Sequence, residues 1–265
     1  MSGEADFERR FGGVRRLYGD LALQCFQAAH VCVVGVGGVG SWAVEALARN
    51  AIGRLTLVDL DNIAESNFNR QLHALEGDIG KAKITAMAER IEQINPACKV
   101  LQIEEFITPE NVQELLGNTR FDGIIDAIDD AKAKAALAAW CRAQKLPLVM
   151  AGGAGGRFDA TRMKTADLAR ASGDRLLSKV RNLLRREYGF PKGEKSKFGI
   201  SCIYSDEPIA RPDRCEDEEG TLSGLSCAGY GSSVCVTAPF GFAAAGLLLN
   251  SLAKSSPENT ASAGA

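Results

Sequence analysis

The chain has 265 residues, 46% of them hydrophobic and 24% charged, with 31 Lys and Arg against 33 Asp and Glu. That balance excludes a disordered tail protein, and a formal net charge of −2 argues against coating nucleic acid by bulk charge, so any basic surface must be local. Eight cysteines with no CxxC pair, and only two histidines, argue against a structural zinc site and fit a reducing, cytoplasmic compartment.

The first readable element is a strand over 30–35, a β-branched apolar run, followed by a helix over 39–51 with apolar positions at Val39, Trp42, Ala43, Ala46 and Leu47. Between them Gly35, Gly37 and Gly40 fit GxGxxG, with Gly38 inside the turn. Glycines at this spacing permit a tight turn, close approach of backbone to phosphate, and close packing of helix on strand, with the helix N-terminus facing the anion. A second strand over 54–59 ends in Asp59, 19 residues after Gly40, where an acceptor for ribose hydroxyls belongs.

A dehydrogenase would pass quickly from there into its next helix. Here a long polar loop intervenes, presenting Asp61, Asn67, Asn69, Arg70, Gln71 and His73, and then a helix over 80–94 carrying Lys81 and Lys83. Hydride transfer needs a flat nicotinamide pocket, whereas Arg, Asn and Lys together suit the charge on a transferring polyphosphate. Phosphate chemistry is the expectation.

The alternation continues with a strand over 99–104, a helix over 109–117, a strand over 122–127, a helix over 131–145 and a strand over 147–151. This pattern predicts an α/β fold with a doubly wound, mainly parallel, Rossmann-like sheet. Residues 1–155 form the expected nucleotide-binding domain and 156–265 a C-terminal extension that completes the core rather than an independent unit. Within the extension, residues 175–197 hold eight basic residues against two acids. Leu176, Leu177, Val180, Leu183 and Leu184 mark the apolar face of a helix there, and Arg175, Lys179, Arg181, Arg185 and Arg186 form a candidate phosphate-binding side. No residue between Glu219 and Lys254 is charged. This segment reads as a buried strand and helix closing the core, with membrane association as the alternative.

The ordered set GVGGVG, VDLD, SNFNRQ, GKAK and DAIDD resembles the ThiF/MoeB branch of the ubiquitin-activating-enzyme superfamily across about residues 10–155. RFGG with RLYG, NRQLHAL, ERIEQINP, IDAIDD, PLVMAGGAGGR and GISCIYS extend the likeness over nearly the whole chain, toward the tRNA threonylcarbamoyladenosine dehydratase branch.

The resemblance implies an enzyme that binds ATP with Mg²⁺ and adenylates a carboxylate, releasing pyrophosphate. Carried over, Gly38 approaches the nucleotide, Asp59 accepts from the ribose, and Asn67 and Arg70 contact phosphates. Lys83 neutralises the α-phosphate and Asp129 holds the metal; Asp61 and Gln71 complete the implied site. Relatives also place an arginine from the other copy of a homodimer into the site. Arg10, Arg15 and Arg16 leave its alignment open, and Arg16 is the candidate. For the dehydratase branch the substrate is tRNA bearing threonylcarbamoyladenosine, whose activated carboxylate is captured by the neighbouring carbamoyl group. Some relatives receive sulfur from a cysteine desulfurase system, which singles out Cys202 and Cys227, although a buried, inert thiol is the commoner state. Two other readings stay open at this point: an adenylating activator of a ubiquitin-like sulfur-carrier protein, and a nucleotide-binding adaptor without turnover.

Overall fold

A computed structural model describes residues 6–193, 195–210 and 230–254. Two helices, α1 (Phe7–Tyr18) and α2 (Asp20–Ala28), precede a regular alternation: β1 (His30–Val34), α3 (Gly40–Arg49), β2 (Arg54–Val58), α4 (Lys83–Ile94), β3 (Lys99–Ile103), α5 (Val112–Leu116), β4 (Gly123–Asp126), α6 (Ala131–Ala143) and β5 (Leu148–Ala151). Then come β6 (Met163–Asp167), α7 (Arg175–Glu187), β7 (Ser201–Ser205) and α8 (Val234–Lys254). The sheet has seven strands in the order β3-β2-β1-β4-β5-β7-β6. All neighbours are parallel except β6 and β7.

Period-two alternation explains the layers. Val31 and Val33 of β1, Leu55 and Leu57 of β2 and Ile125 of β4 face a core shared with α3, α4 and α8. Cys32, Val34, Val58, Ile124 and Met150 face a second core with α6 and α7. Both sheet faces are therefore covered, and the crossovers deliver their loops to the carboxyl edge of the strands. The order in which strands are added reverses between β1 and β4, the position where open α/β sheets hold ligands.

Three features differ from the sequence expectation. Helices α1 and α2 have no counterpart in it. Strands β6 and β7 form where only loops flanking a basic helix were expected, and β7 inserts between β5 and β6. The closing apolar segment is one helix with Pro239 inside it, not a strand and a helix. Pro239 removes the amide that would donate to Cys235 O, and the flanking apolar residues hold the helix against the core despite that loss. By length and composition α8 is apolar enough to cross a membrane. Val236, Phe240, Ala244, Leu248 and Leu249 are nonetheless buried in the first core, which accounts for the hydropathy without a bilayer.

Candidate functional site

The glycine turn follows β1 at the reversal point. Gly35 has φ +84°, and a Cβ there would lie 2.9 Å from the Ala127 carbonyl carbon. A Cβ on Gly40 would meet the Gly35 carbonyl oxygen at 1.8 Å, so α3 can approach the strand this closely only through glycine. Above Gly37 and Gly38 no backbone intrudes. A Cβ on Gly37 would meet only the Gln71 amide nitrogen at 3.9 Å, and the nearest neighbour of one on Gly38 would be the Arg70 side chain, from 3.1 Å. This is an open cradle of backbone at a helix N-terminus, with the shape and polarity that a polyphosphate requires.

Asp59 is buried, and its carboxylate accepts from Val36 N at 2.6 Å and from Asp61 N at 2.9 Å. It thereby ties the end of β2 to the glycine turn. Burial pushes its carboxyl up, while Lys83 and the two backbone donors oppose that shift. Lys83 begins α4, is 5% exposed, and donates to Asp61 Oδ2 at 2.6 Å. An ammonium held at a helix N-terminus, against that helix's own dipole, is kept there by the Asp61 carboxylate. An incoming phosphate can take the same role. Lys81, by contrast, pairs with Asp78 and Glu89 away from the turn.

The loop between β2 and α4 is folded back by its own polar groups. Asn67 is buried and its Oδ1 accepts from Ala64 N at 3.1 Å. Arg70 donates to Ser66 O at 2.8 Å and Asn69 Oδ1 at 2.9 Å, and its carbonyl accepts from the Trp42 indole at 2.9 Å. Asn69 reaches across to the start of α8, donating to Ser232 O and accepting from Val234 N through its carbonyl. The guanidinium of Arg70 is thus held beside Gly38. His73 is buried, its Nε2 donates to Gln71 Oε1 at 3.1 Å, and Nδ1 has no partner among the described residues. Burial, with Lys83 nearby, lowers its pKa to about 4, so the ring is neutral at neutral pH and is a poor proton carrier there.

The third wall is the loop after β4. Asp126 is fully buried, whereas Asp129 is exposed. Asp130 caps α6 by accepting from Ala133 N at 2.8 Å. Among the described residues no group engages the Asp129 carboxylate. No group of three or more His, Cys, Asp or Glu among the described residues can hold a metal. One free carboxylate beside a phosphate cradle, without a protein cage, is how Mg²⁺ is usually held.

Gly35, Gly37, Gly38, Gly40, Asp59, Asp61, Asn67, Arg70, Gln71, Lys83 and Asp129 therefore share one edge of the sheet. Arg16 does not. Helix α1 is docked at the other edge, where Arg10 donates to Gln93 O and Ile94 O and Phe11 packs on Leu23 and Ala51. Cys202 is buried on β7 and burial pushes its thiol up, which suits an inert cysteine. Cys227 lies outside the described residues.

On α7, Leu176, Leu177, Val180 and Leu184 are buried as their spacing predicts. Arg175, Lys179 and Arg186 are exposed. Arg181 instead turns inward to donate to Leu168 O and Ala171 O, and Arg185 donates to Pro191 O and lies over the Phe198 ring. The cationic face is narrower than the sequence implies.

Sequence reasoning passed over Trp42 as a polar contact, and also two buried ion pairs, Lys134 with Asp126 and Arg157 with Asp174. Lys134 left a readable trace. It lies four residues before Ala138 and seven before Cys141, on the apolar face of α6.

A model of the ThiF family matches residues 12–262. The Escherichia coli tRNA threonylcarbamoyladenosine dehydratase is 46% identical over 249 residues, 90% of this chain and 91% of that protein. A crystal structure of the E. coli dehydratase in complex with ATP is similar with a TM-score of 0.86 and 43% identity, covering 100% of both chains. The same enzyme in complex with AMP gives a TM-score of 0.84 at 44% identity, covering 95% of this chain and 97% of that one.

Proposed function

This protein belongs to the ThiF family, and on that premise we propose that it is an ATP-dependent tRNA-modifying enzyme that dehydrates threonylcarbamoyladenosine through adenylation of its threonyl carboxylate. One observation carries the reading. A chain similar along its length to an ATP-binding dehydratase gathers an open glycine cradle, Lys83, Arg70 and a free Asp129 at the reversal point of its sheet.

The chemistry asks an anionic carboxylate to attack an anionic α-phosphorus. The attack forms a carboxyl–phosphate bond and breaks the bond to pyrophosphate, and charge grows on the bridging and equatorial oxygens. Lys83 exchanges Asp61 for the α-phosphate and offsets that charge. Arg70 and Asn67 hold the outgoing phosphates, and the α3 N-terminus faces them. Gly38 and Gln71 border the bound nucleotide, and Asp59 accepts from the ribose with its remaining lone pairs. Asp129 would hold Mg²⁺, which would supply positive charge to offset that of the phosphates.

The carbamoyl group of the substrate then attacks the mixed anhydride, closes a ring and expels AMP, so that one water is lost overall. Attacker and acceptor share one molecule, which gives the second step a high effective molarity and needs no covalent enzyme intermediate.

Arg16, exposed on α1, would act on the ATP of a second copy of the chain. A homodimer follows from that role. The tRNA backbone lies along Arg175, Lys179 and Arg186, with Arg181 and Arg185 shaping the loops beneath them. The enzyme works in the cytoplasm, where its substrate is. Residues 1–155 carry the nucleotide chemistry, and residues 156–265 supply the tRNA face and the last core helix. The sulfur-carrier reading is not favoured, because the likeness to the dehydratases runs along the whole chain.

Purified protein given ATP, Mg²⁺ and tRNA carrying threonylcarbamoyladenosine should release one AMP per nucleoside made lighter by one water. AMP release that depends instead on a Gly-Gly-tailed carrier protein, with no mass change in the tRNA, would refute it.

A further inference from the structure

The deepest ion pair among the described residues lies beneath the site rather than in it. Lys134 and Asp126 both have fully buried side chains and pair at 2.9 Å between the sheet and α6. Isolated charges do not persist at such depth without dense partnering, and a buried pair seldom exceeds apolar packing in stability. Its retention calls for another explanation, and the partners supply one.

Every contact of the Lys134 ammonium goes to one short stretch of chain. It donates to Asp126 Oδ1 at 2.9 Å, to Ile128 O at 2.9 Å and, at the long distance of 3.4 Å, to Asp126 O. Asp126 Oδ1 also accepts from Ile128 N at 3.0 Å. Backbone and side chain of the 126–128 turn are thus bound to a single point on α6. The residue on one side of this clamp is Asp129. The residue inside it, Ala127, donates to Val34 O at 2.8 Å and lies where a Cβ on Gly35 would fall.

We propose that Lys134 is a positioning residue: from beneath the sheet edge it fixes the 126–128 turn, and so sets both the Asp129 carboxylate and the back wall of the glycine cradle. It touches neither nucleotide nor substrate, and its value to the reaction rests on the adenylation proposed above.

The test removes both charges together, because losing Lys134 alone would strand a buried carboxylate and confound positioning with unfolding. Asp126→Leu/Lys134→Met is expected to fold, with a melting temperature within a few degrees of the parent. Turnover should fall about 10- to 100-fold, the range expected when a reacting group is misplaced by about 1 Å. The Mg²⁺ concentration for half-maximal rate should rise. Amide hydrogen exchange at 127–130 and 35–38 should quicken in the variant without any ligand. Asp126→Asn/Lys134→Gln removes both charges while keeping polar side chains there, and should show the same pattern, more weakly, if the apolar pair does not fold.

A folded double variant with parental turnover, Mg²⁺ dependence and exchange would overturn the assignment. Exchange is read on free protein. If the parent itself failed to act on tRNA, the proposed function would fall, while the clamp would still stand or fall on the 127–130 amides.

Discussion

Replacing Lys83 by methionine keeps most of the side-chain volume and removes only the ammonium. In the folded protein that ammonium has one carboxylate partner, Asp61 Oδ2 at 2.6 Å, and the Asp61 side chain is 53% exposed. The released Asp61 carboxylate stays in water while buried Asp59 loses one opposing charge, so the loss of folding stability should be about 1 kcal/mol, near the upper end for screened pairs. The effect on turnover should be of a different size. Removing one donor aimed at developing charge costs about 10² to 10³ in rate, or roughly 2.7–4 kcal/mol of transition-state stabilisation at about 1.4 kcal/mol per decade. Single-turnover AMP release with saturating ATP and modified tRNA gives the chemical step, and thermal unfolding of the same sample gives stability. A Lys83→Met protein that keeps its melting temperature but loses less than about fivefold in rate would show that the ammonium faces no developing charge. A rate loss matched by a large drop in melting temperature would show a structural role instead.

Three further outcomes follow from the same geometry. Asp129→Asn should leave stability within about 0.5 kcal/mol, because its carboxylate has no partner among the described residues, while the rate at fixed Mg²⁺ collapses; calorimetric unfolding beside an Mg²⁺ titration checks both. His73 has a folded pKa near 4, below its unfolded value, so its contribution is complete above about pH 6.5 and is lost as pH falls toward 4. At about 1.4 kcal/mol per unit the loss approaches 3 kcal/mol. A denaturant series on the parent and His73→Gln should show a flatter pH dependence in the variant, and parallel curves would refute the burial argument. Replacing Arg175, Lys179 and Arg186 together by glutamine should weaken tRNA binding and lower the slope of log affinity against log salt by about 2–3. An unchanged slope would move the tRNA to another face.

The sequence was most legible where a local pattern coincides with a global role. β1, β2, β4 and β5 are short β-branched or apolar runs, and the glycines, Asp59 and Lys83 stand at fixed offsets from them, so strand, turn and site could be read together. Helix α1 was invisible because Gly12 and Gly13 depress its helix propensity, and its order comes from distant partners, the Arg10 bonds to Gln93 O and Ile94 O. β6 is an edge strand, MKTAD, with no apolar alternation to signal it. The VCVT run of α8 has the β-branched look of a strand, and only packing on α3 decides for helix. Arg181 shows the same limit within the site. Helical spacing places it beside the exposed arginines, and carbonyls from a loop before α7 turn it inward. Pairings such as Lys134 with Asp126, or Arg157 with Asp174, depend on tertiary approach and left at most a charge on an apolar face to mark them.

In the proposed reaction a carboxylate oxygen of the substrate becomes bonded to the α-phosphorus of ATP. Threonylcarbamoyladenosine prepared in tRNA with heavy oxygen in its threonyl carboxylate decides this directly, with the released AMP read by mass spectrometry. One labelled oxygen is expected in each AMP formed with the dehydrated nucleoside. Unlabelled AMP accompanying full conversion would contradict it.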